Sequence, residues 1–593
     1  MLTISQSTEK TCQKRQHGDL KEVKQLYEQL LKSDPGNHDM LHSLGVIAYQ
    51  EGKYNEAVEL ISKAIQKDDC VAKYHNTLGI ILEALGRFQE AIHAYQKAVT
   101  IRADYAEAYH NMAIALQSMG RYEAAVEMCT EAILHDPNLA RAYNTKAFSL
   151  EKQKLYSDAI ENYRQALQLD PNLVEAYNHL GMLLNAQGET DEAIKIFRCA
   201  LQYDPYYAEV YNNLGIALKE QEQFSEAMAN FVEAIQLDPQ FAEAYYNLAN
   251  SLRDEGRCVE AINNYNKAID LNPDYAQAHW NLSLTNLLSG NYLEGWKGYR
   301  WRRNADLKIL TDYHRNGKSR WDGSSFENRT LLIHYEQGLG DNIQFVRYLP
   351  MVKARGGTVV YETLKPLIGL LQGFPGVDEI MEYRKDEQLS LHYDVYSSLM
   401  DMPNIFGTTV ETIPAGVPYI HADSSKVEHW RKKLSGDDLK VGIVWAGSPE
   451  HGNDRYRSCS LKCFAPLSEI DGVQLYGLQK GRAAGQMDEY AETIKVTNIS
   501  KDFNDLTDTA AAIENLNLVI SVDTCVLHLS GAMEKATWAL LPYAPEWRWM
   551  LYRKDSPWYP TMRLFRQVNW NDWDTVFQCV AEELEIMVKR HRG

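Results

Sequence analysis

The sequence predicts an all-α superhelix of repeated helix pairs, followed by an α/β region with two sheet-and-helix lobes. The first observation is a set of prolines and small residues that recur every 34 residues up to about residue 303. The second is a change of pattern beyond that residue, where short apolar runs typical of buried strands alternate with helices. At 593 residues the chain is too long for one hydrophobic core, so several domains are expected.

Recurring residues define the helix pairs. A glycine marks many of the turns, and an alanine recurs on the second helix of each pair. The prolines that close the units are Pro35, Pro137, Pro171, Pro205, Pro239 and Pro273. This pattern is that of the tetratricopeptide repeat, in which each unit is two antiparallel helices. We expect about nine units between residues 5 and 303, stacked around a long concave groove.

A row of polar residues is predicted to line this groove. Two positions before the small residue of each first helix stand Ser43, Thr77, Asn111, Thr145, His179, Asn213, Asn247 and Asn281. Amides can hydrogen-bond the backbone of an extended peptide, which makes Asn213, Asn247 and Asn281 candidate contacts to an acceptor protein. The row resembles the asparagine ladder of eukaryotic O-GlcNAc transferase. The alternative is that these residues serve local purposes within the repeat.

The last repeat departs from the pattern. Gly295 and Trp296 occupy the place of the alanine, within the aromatic stretch Tyr292–Trp301. Large aromatic side chains there predict that this helix packs on the next domain as a rigid junction. A structural cap of the array is the alternative.

Beyond the repeats we predict a first lobe at 304–425 and a second lobe at 426–593, after a repeat array at 1–303. The predicted strands are 330–335, 358–362, the VDEIM and YDVYSSL segments, 441–445, 473–478, 518–522 and 536–541. The predicted helices are 342–355, 364–373, 424–434, 462–470, 484–491, 505–515, 525–533 and 572–590. Two such lobes imply a cleft, with ligands at the carboxyl ends of the strands.

The segment LVISVDTCVLHLSGAM, residues 518–533, is a strand, a polar turn and a helix. Free backbone N–H groups and the helix dipole at such a turn favour an anion such as a diphosphate. Thr524 and His528 are four residues apart and therefore share one face of the first helical turn. Alternatively, Asp523 is an ordinary helix cap and His528 a core histidine.

Five motifs of the second half resemble the heptosyltransferase-like family of GT-B glycosyltransferases. They are GLGD at 338–341, VGIVWAGSPEHGNDRYRS at 441–458, LYGLQKG at 475–481, DLTDTAAAIENLNLVISVDTCVLHLSGA at 505–532 and LLPYAPEWRWMLYRKDSPWYPTMRLFRQ at 540–567. The layout of repeats and transferase resembles O-GlcNAc transferase and bacterial transferases that modify flagellin. The resemblance implies an all-α tetratricopeptide superhelix followed by an α/β GT-B domain of two Rossmann-like lobes. It also implies an inverting reaction without an obligate metal.

The resemblance assigns donor binding to Asp523, Thr524 and His528, which match the family's DTxxxH element. Without a metal, the charge on the leaving nucleotide must be stabilised by a helix N-terminus and by cations. Lys480, Arg455 and Arg457 are the candidates, since arginine offers bidentate contacts to phosphate. The alternative is that these cations are solvated loop charges.

On the first lobe, the family's proposed base matches Asp341, which follows a glycine-rich turn. A helix cap is the alternative role for this aspartate. His334, Glu336 and His451 are further candidates for proton transfer or acceptor contact, and His334 and Gln337 are the expected acceptor-side residues of this lobe. Where the family has a Gly-Lys-Pro turn this chain has Glu534-Lys535-Ala536, so that turn is expected to differ.

Composition excludes several classes of protein. The net charge of −19 argues against a general nucleic-acid or anionic-membrane binder. The N-terminus lacks the apolar core of a secretory signal, and no apolar run is long enough for a membrane span, so a cytoplasmic protein is expected. Nine scattered cysteines suit a reducing compartment, and Cys459 and Cys463 lack the partners of a zinc site. We expect no cofactor and no metal.

The preferred hypothesis is transfer of a sugar from a nucleotide sugar to Ser or Thr of a protein held in the groove, with flagellin as a candidate acceptor. One alternative is a repeat scaffold whose transferase lobes are inactive. Another is a transferase that acts on a glycan or a lipid-linked acceptor. The sugar is open among UDP-N-acetylglucosamine, an ADP-heptose and a CMP-nonulosonate.

Overall fold

The computed structural model describes residues 20–304, 318–384, 391–450, 452, 454–544 and 546–592. The chain forms two compact units, Met1–Pro239 and Gln240–Gly593. The boundary between them lies within the repeat array, so the last helix pairs belong to the same unit as the two sheets. None of the described helices combines the length and the apolar character required to cross a bilayer.

The described part of the first unit consists of antiparallel helix pairs, as the repeat period predicts. These helices are α1 (Leu20–Ser33), α2 (His38–Gln50), α3 (Tyr54–Lys67), α4 (Ala72–Ala84), α5 (Phe88–Ile101), α6 (Ala106–Ser118), α7 (Tyr122–His135), α8 (Ala140–Lys152), α9 (Tyr156–Leu169), α10 (Val174–Ala186), α11 (Thr190–Tyr203), α12 (Ala208–Glu220) and α13 (Phe224–Leu237).

The recurring glycines of the first helices are required by packing. A Cβ added at Gly181 would lie 2.5 Å from the Phe197 ring, and one at Gly215 would lie 2.6 Å from the Phe231 ring. These rings come from the second helix of the same repeat and are almost fully buried. A larger residue at either glycine would therefore separate the two helices of its pair.

The second unit begins with the remaining repeat helices. They are α14 (Ala242–Asp254), α15 (Cys258–Leu271), α16 (Ala276–Leu288) and the short α17 (Tyr292–Gly298), which continues as a 3₁₀ turn at Tyr299–Arg303. Both sheets of this unit follow them in the chain.

The two sheets are parallel throughout. The first has the order β1-β5-β2-β3-β4 and the second the order β11-β10-β9-β6-β7-β8. The strands of the first are β1 (Ser319–Arg320), β2 (Thr330–His334), β3 (Thr358–Thr363), β4 (Glu379–Glu382) and β5 (Val395–Ser398). Those of the second are β6 (Leu439–Val444), β7 (Val473–Gly477), β8 (Val496–Asn498), β9 (Leu518–Val522), β10 (Thr537–Leu541) and β11 (Met562–Arg566).

Helices connect these strands. Around the first sheet they are α18 (Leu339–Phe345), α19 (Leu349–Lys353), α20 (Lys365–Leu371), α21 (Met402–Ile405) and α22 (Ser424–Lys433). Around the second they are α23 (Asp454–Arg457), α24 (Ala465–Ser468), α25 (Gln486–Glu489), α26 (Leu506–Glu514), α27 (Cys525–Ala532) and α28 (Trp573–Arg592). Short 3₁₀ turns lie at Val346–Tyr348, Leu399–Asp401, Leu461–Phe464, Arg482–Gly485, Ser500–Asp502 and Trp547–Trp549. This part of the chain is therefore an α/β structure with parallel sheets.

The end of the repeat array is built into the α/β core. Trp296 is buried, and its Nε1 donates a hydrogen bond to the Thr408 carbonyl at 3.0 Å. Tyr292 and Tyr299 belong to the same hydrophobic cluster as Trp547 of the second lobe. Because these aromatic side chains are buried against both lobes, α17 forms the rigid junction that its sequence predicts.

Candidate functional site

The candidate site lies at the carboxyl ends of the central strands of the second sheet, where a turn of the first lobe meets helix α27. A Cβ added at Gly340 would lie 2.8 Å from Cδ2 of His528 and 3.6 Å from Cα of Cys525. Gly340 therefore has to be a glycine for the two lobes to approach this closely. Asp523 and Thr524 follow the fully buried β9 and lead into α27. The GLGD turn and the predicted anion-binding turn are thus neighbours.

Asp523 and His528 form a buried polar cluster. Asp523 accepts a hydrogen bond from Nε1 of Trp549 at 3.0 Å, and its Oδ1 lies 3.6 Å from Nε2 of His528. The other imidazole nitrogen of His528 contacts the hydroxyl of Tyr559 at 2.9 Å. Burial alone would raise the pKa of Asp523, but the adjacent imidazole of His528, together with the hydrogen bond from Trp549, lowers it to about 2. Asp523 is therefore ionised and orients the imidazole.

Thr524 occupies the N-cap position of α27 without capping it. Its hydroxyl lies 3.0 Å from the hydroxyl of Ser521, and its side chain makes no hydrogen bond to the backbone of the first turn. The first turn of α27 thus lacks the side-chain cap that usually satisfies its N–H groups. This leaves the turn suited to an anionic ligand.

Asp341 contacts both its own turn and the second lobe. Its Oδ2 accepts a hydrogen bond from the Gly338 backbone at 2.9 Å, and its Oδ1 pairs with Nη2 of Arg548. The capping role considered for this aspartate is therefore present in the structure. The ion pair with Arg548 adds a direct link between the two lobes.

The other first-lobe candidates have local partners. Glu336 is buried and accepts two hydrogen bonds from Arg302, at 2.6 and 2.7 Å, so this carboxylate serves the repeat junction. Nδ1 of His334 lies 3.1 Å from the Tyr335 carbonyl oxygen. Gln337 has a φ of 65°, a strained conformation for a residue other than glycine, in the turn that leads to Asp341. His451 lies outside the described residues.

Arg548 stands at the centre of a cluster of carboxylates. Its guanidinium donates to Asp341, to Glu546 and, at 2.6 Å, to Oε1 of Gln344. Burial would lower the pKa of Arg548, but the charges of Glu546 and Asp341 hold it above its usual value. Burial raises the pKa of Glu546 to about 7, against the lowering effect of Arg548 and with a contribution from Asp523. One carboxyl of this cluster therefore titrates near neutral pH.

The three predicted phosphate ligands differ in their surroundings. Lys480 Nζ donates to the carbonyl oxygens of Ser500 and Phe503, at 3.1 and 2.8 Å, and so braces a neighbouring loop. Arg455 is exposed and lies over the Tyr456 ring, 4.4 Å from its centroid.

Arg457, the last residue of α23, is one of the cations that act on the predicted anion-binding turn. It pairs with Asp454 at 3.3 Å, and a Cβ added at Gly447 would lie 2.5 Å from its Nη2. Burial raises the pKa of the Cys525 thiol, and the charge of Arg457 opposes that rise. Since Cys525 is the first residue of α27, Arg457 acts electrostatically on the N-terminus of this helix.

The polar row of the repeats is engaged in contacts between neighbouring first helices. Nδ2 of Asn213 donates to Oδ1 of Asn178 at 2.8 Å, and Nδ2 of Asn281 donates to Asn250 at 2.8 Å. Side-chain hydrogen bonds also join other residues of this row to the neighbouring first helix. These pairs are His42–Thr77, Asn76–Asn111 and His110–Thr145, at 2.9, 3.1 and 3.0 Å. Residues of this row therefore do serve local purposes within the array. Asn247, at the same position of its repeat, is half-buried.

Several residues of the site carry no role in the sequence interpretation. They are Glu546, Arg548, Trp549 and Tyr559, all within the 540–567 motif. The sequence feature that could have indicated them is the run Glu-Trp-Arg-Trp, because charged residues between tryptophans are unusual on a solvated loop. The turn at Glu534 has a φ of 60°, so glutamate adopts the left-handed conformation that the family's glycine would favour.

Metal ligands do not gather at this site in the described part of the chain. Among the described residues, the acidic and thiol groups that lie close enough together to share an ion are Asp68, Asp69 and Cys70. They belong to the exposed loop after α3 in the repeat array. Asp341, Asp523 and Glu546 instead bond to Arg548, Trp549 and His528.

Comparisons with known proteins identify the helical half. Models described as "TPR repeat" match residues 151–188 and 249–290, and models described as "Tetratricopeptide repeat" match residues 36–104, 69–133 and 172–240. The chain contains tetratricopeptide repeats. Protein FlbA of Caulobacter vibrioides is 26% identical over 321 residues, which is 50% of this chain and 53% of that protein. This chain therefore spans about half the length of that relative.

Solved structures also match parts of the chain. The crystal structure of MamA is 29% identical with a TM-score of 0.26, and the match covers 27% of this chain and 94% of that one. The crystal structure of YrrB, described as "a TPR protein with an unusual peptide-binding site", is 24% identical with a TM-score of 0.28. That match covers 32% of this chain and 96% of the other.

Proposed function

We propose that the protein is an inverting GT-B glycosyltransferase that moves a sugar from a nucleotide sugar to a Ser or Thr hydroxyl of an acceptor protein. The observation that carries the proposal is the meeting of the GLGD turn with the N-terminus of α27, where Gly340 lies against His528. A catalytic carboxylate, an anion-binding turn and a buried arginine then share one place, as transfer from a phosphate leaving group requires.

The second lobe would hold the donor. The uncapped first turn of α27 and the guanidinium of Arg457 suit the phosphates, and the ionised Asp523 with His528 suits hydroxyl groups of the sugar. Lys480 would contribute by bracing the loop at Ser500 rather than by direct contact. The family resemblance of residues 441–567 supports this division. It leaves UDP, ADP and CMP sugars as candidates.

The repeats would hold the acceptor protein. Tetratricopeptide arrays present an extended concave surface, and an extended peptide can bond to half-buried amides such as Asn213, Asn247 and Asn281. Flagellin is the acceptor suggested by the resemblance to flagellin-modifying transferases. The competing function is a scaffold that binds proteins and no longer transfers sugar. The paired amides of the polar row are compatible with both functions.

Release of nucleotide from a panel of nucleotide sugars, measured with the full chain, tests the proposal. We expect one donor class to be consumed, and the Asp341→Asn variant to be about 10²–10⁴-fold slower because it loses the charge opposite Arg548. The matched control is Asp471→Asn, a highly exposed aspartate of the same unit, which should keep the parental rate. If no donor is consumed, the scaffold function replaces this one.

A further inference from the structure

We propose that Tyr559 is a positioning residue that holds the imidazole of His528 in one tautomer, with the proton on Nε2 and the lone pair on Nδ1. This inference rests on the proposed function and adds to it how the second lobe presents a hydrogen-bond donor to the nucleotide sugar. A Cβ added at Gly340 would lie 3.5 Å from Nε2 of His528. Nε2 is therefore the imidazole nitrogen on the side of the GLGD turn, where the two lobes meet.

The imidazole has a hydrogen-bond partner on one side only. Its Nδ1 lies 2.9 Å from the hydroxyl oxygen of Tyr559. Its Nε2 lies 3.6 Å from Oδ1 of Asp523, which is longer than a hydrogen bond. In the part of the chain that the structure describes, the contact with Tyr559 is the hydrogen bond that this ring makes. Asp523 thus attracts the imidazole by charge, and Tyr559 supplies the directional contact.

The chemistry of the two partners indicates where the proton lies. An ionised carboxylate only accepts hydrogen bonds, so the nitrogen that faces Asp523 is the one expected to carry the N–H. The phenol of Tyr559 can donate its O–H to the lone pair of Nδ1, which satisfies both buried groups. The partner of one ring nitrogen sets the protonation of the other. Because Asp523 lies 3.6 Å away, Nε2–H can still donate to an oxygen of the bound donor.

The orientation of the imidazole ring agrees with this assignment. The ring of Trp549 lies against the imidazole, with 5.6 Å between the centroids and an angle of 26° between the planes. The indole nitrogen of Trp549 also donates to Asp523 at 3.0 Å. A ring turned by half a rotation would place carbon atoms where the nitrogens now meet Asp523 and Tyr559. The observed orientation is therefore the one in which both nitrogens of His528 face polar atoms.

Tyr559 has little freedom to turn its hydroxyl away. The side chain is fully buried, and a Cβ added at Gly531 would lie 2.6 Å from its ring. Gly531 and His528 are three residues apart and share a face of α27, so the absence of a side chain at Gly531 gives the phenol room beside the imidazole. The guanidinium of Arg347 lies 4.8 Å from the ring centroid and donates to the Trp558 carbonyl at 2.7 Å. These contacts fix the position of the hydroxyl.

Nitrogen-15 NMR of the full chain with labelled histidine tests the tautomer without any substrate. The His528→Gln variant identifies the signals of this residue among the 17 histidines. We expect an unprotonated Nδ1 and a protonated Nε2 in the parent, and a mixture of tautomers in Tyr559→Phe, which removes only the hydroxyl. The matched control is Tyr348→Phe. Tyr348 is also fully buried, and its hydroxyl lies 2.8 Å from that of Thr408, so this variant should leave the His528 signals unchanged.

Release of nucleotide from the donor measures the consequence for the reaction. We expect Tyr559→Phe to lower kcat/KM for the donor about 10–100-fold, as is typical when the hydrogen bond that orients a functional histidine is lost. Its thermal midpoint should stay close to that of Tyr348→Phe, which loses an equivalent buried hydroxyl.

Three results would overturn the role of Tyr559. They are a protonated Nδ1 in the parent, unchanged His528 signals in Tyr559→Phe, and a parental kcat/KM in that variant. A full chain that consumes no donor overturns the proposed function instead. The NMR measurement then still decides whether Tyr559 sets the tautomer of His528, so the two failures are distinguishable.

Discussion

Replacing Arg302 by methionine is expected to destabilise the second unit by about 3–5 kcal/mol, because it leaves a buried carboxylate without its counter-charge. Arg302 is 1% exposed and donates to both oxygens of Glu336 and, at 2.8 Å, to Asp401. Ser398 also donates to Glu336, and Arg303 pairs with Asp401 at 2.6 Å. This cluster joins the last turn of the repeats to the strand ends of the first sheet.

Chemical denaturation followed by circular dichroism measures the loss. The control is Arg592→Met, whose guanidinium pairs with exposed Asp471 and whose removal should leave the unfolding midpoint unchanged. A second variant, Arg302→Met with Glu336→Gln, should recover part of the loss because the buried charge is removed with its partner. An Arg302 variant as stable as the control would show that the junction does not depend on this cluster.

Deleting residues 1–239 is expected to abolish transfer to a protein acceptor while release of nucleotide from the donor continues. The boundary follows the compact units of the chain, so the fragment keeps α14 to α17, both sheets and the whole candidate site. The physical reason is that the deleted repeats would supply most of the acceptor surface. Mass spectrometry of the acceptor, alongside the nucleotide assay, separates the two activities.

The matched control is a fragment that starts at residue 304. It lacks Tyr292, Trp296 and Tyr299, which are buried in the core that both lobes share. We expect this shorter fragment to be unfolded and inactive in both assays, since removing a buried aromatic residue alone costs about 3–5 kcal/mol. Full protein modification by the 240–593 fragment would place acceptor recognition in the second unit. Continued transfer to a small glycan by the 240–593 fragment, without protein modification, would favour the glycan alternative.

The repeat half could be predicted closely because each unit repeats the same local information. The 34-residue period places every turn, and the small residues at Gly181 and Gly215 lie against the rings of the partner helix. The junction with the α/β region could also be predicted, since Trp296 occupies a position where an isolated repeat needs a small residue. The period does not show that the compact units divide at residue 239.

The α/β half was predicted in outline. Strand β9 and helix α27 match the sequence pattern to within a residue, because a buried parallel strand is a continuous apolar run. Strand β8 has three residues, and β11 mixes arginines with apolar residues, so neither segment shows a hydrophobic pattern that predicts a strand. The predicted 342–355 helix is divided into α18 and α19 by a 3₁₀ turn before Pro350.

Within the site, the sequence indicated the residues that a motif marks and missed those that only the fold brings together. Asp523, Thr524 and His528 are adjacent in the chain, so their grouping follows from helix geometry. The pairing of Asp341 with Arg548 joins residues on different lobes, and no spacing rule predicts it. Lys480 looked equivalent to Arg457 in the sequence, but its bonds to two backbone carbonyls give it a structural role.

The central claim, that the carboxyl edge of the second sheet binds the phosphates of a nucleotide donor, is tested most directly by calorimetric titration. The full chain is titrated with UDP, ADP and CMP, and the same is done with Arg457→Met and with its neighbour variant Arg455→Met. We predict saturable binding of one nucleotide, weakened about tenfold or more by Arg457→Met and within a few-fold of the parental affinity in Arg455→Met. No binding of any nucleotide, or equal affinities in both variants and the parent, would contradict the claim.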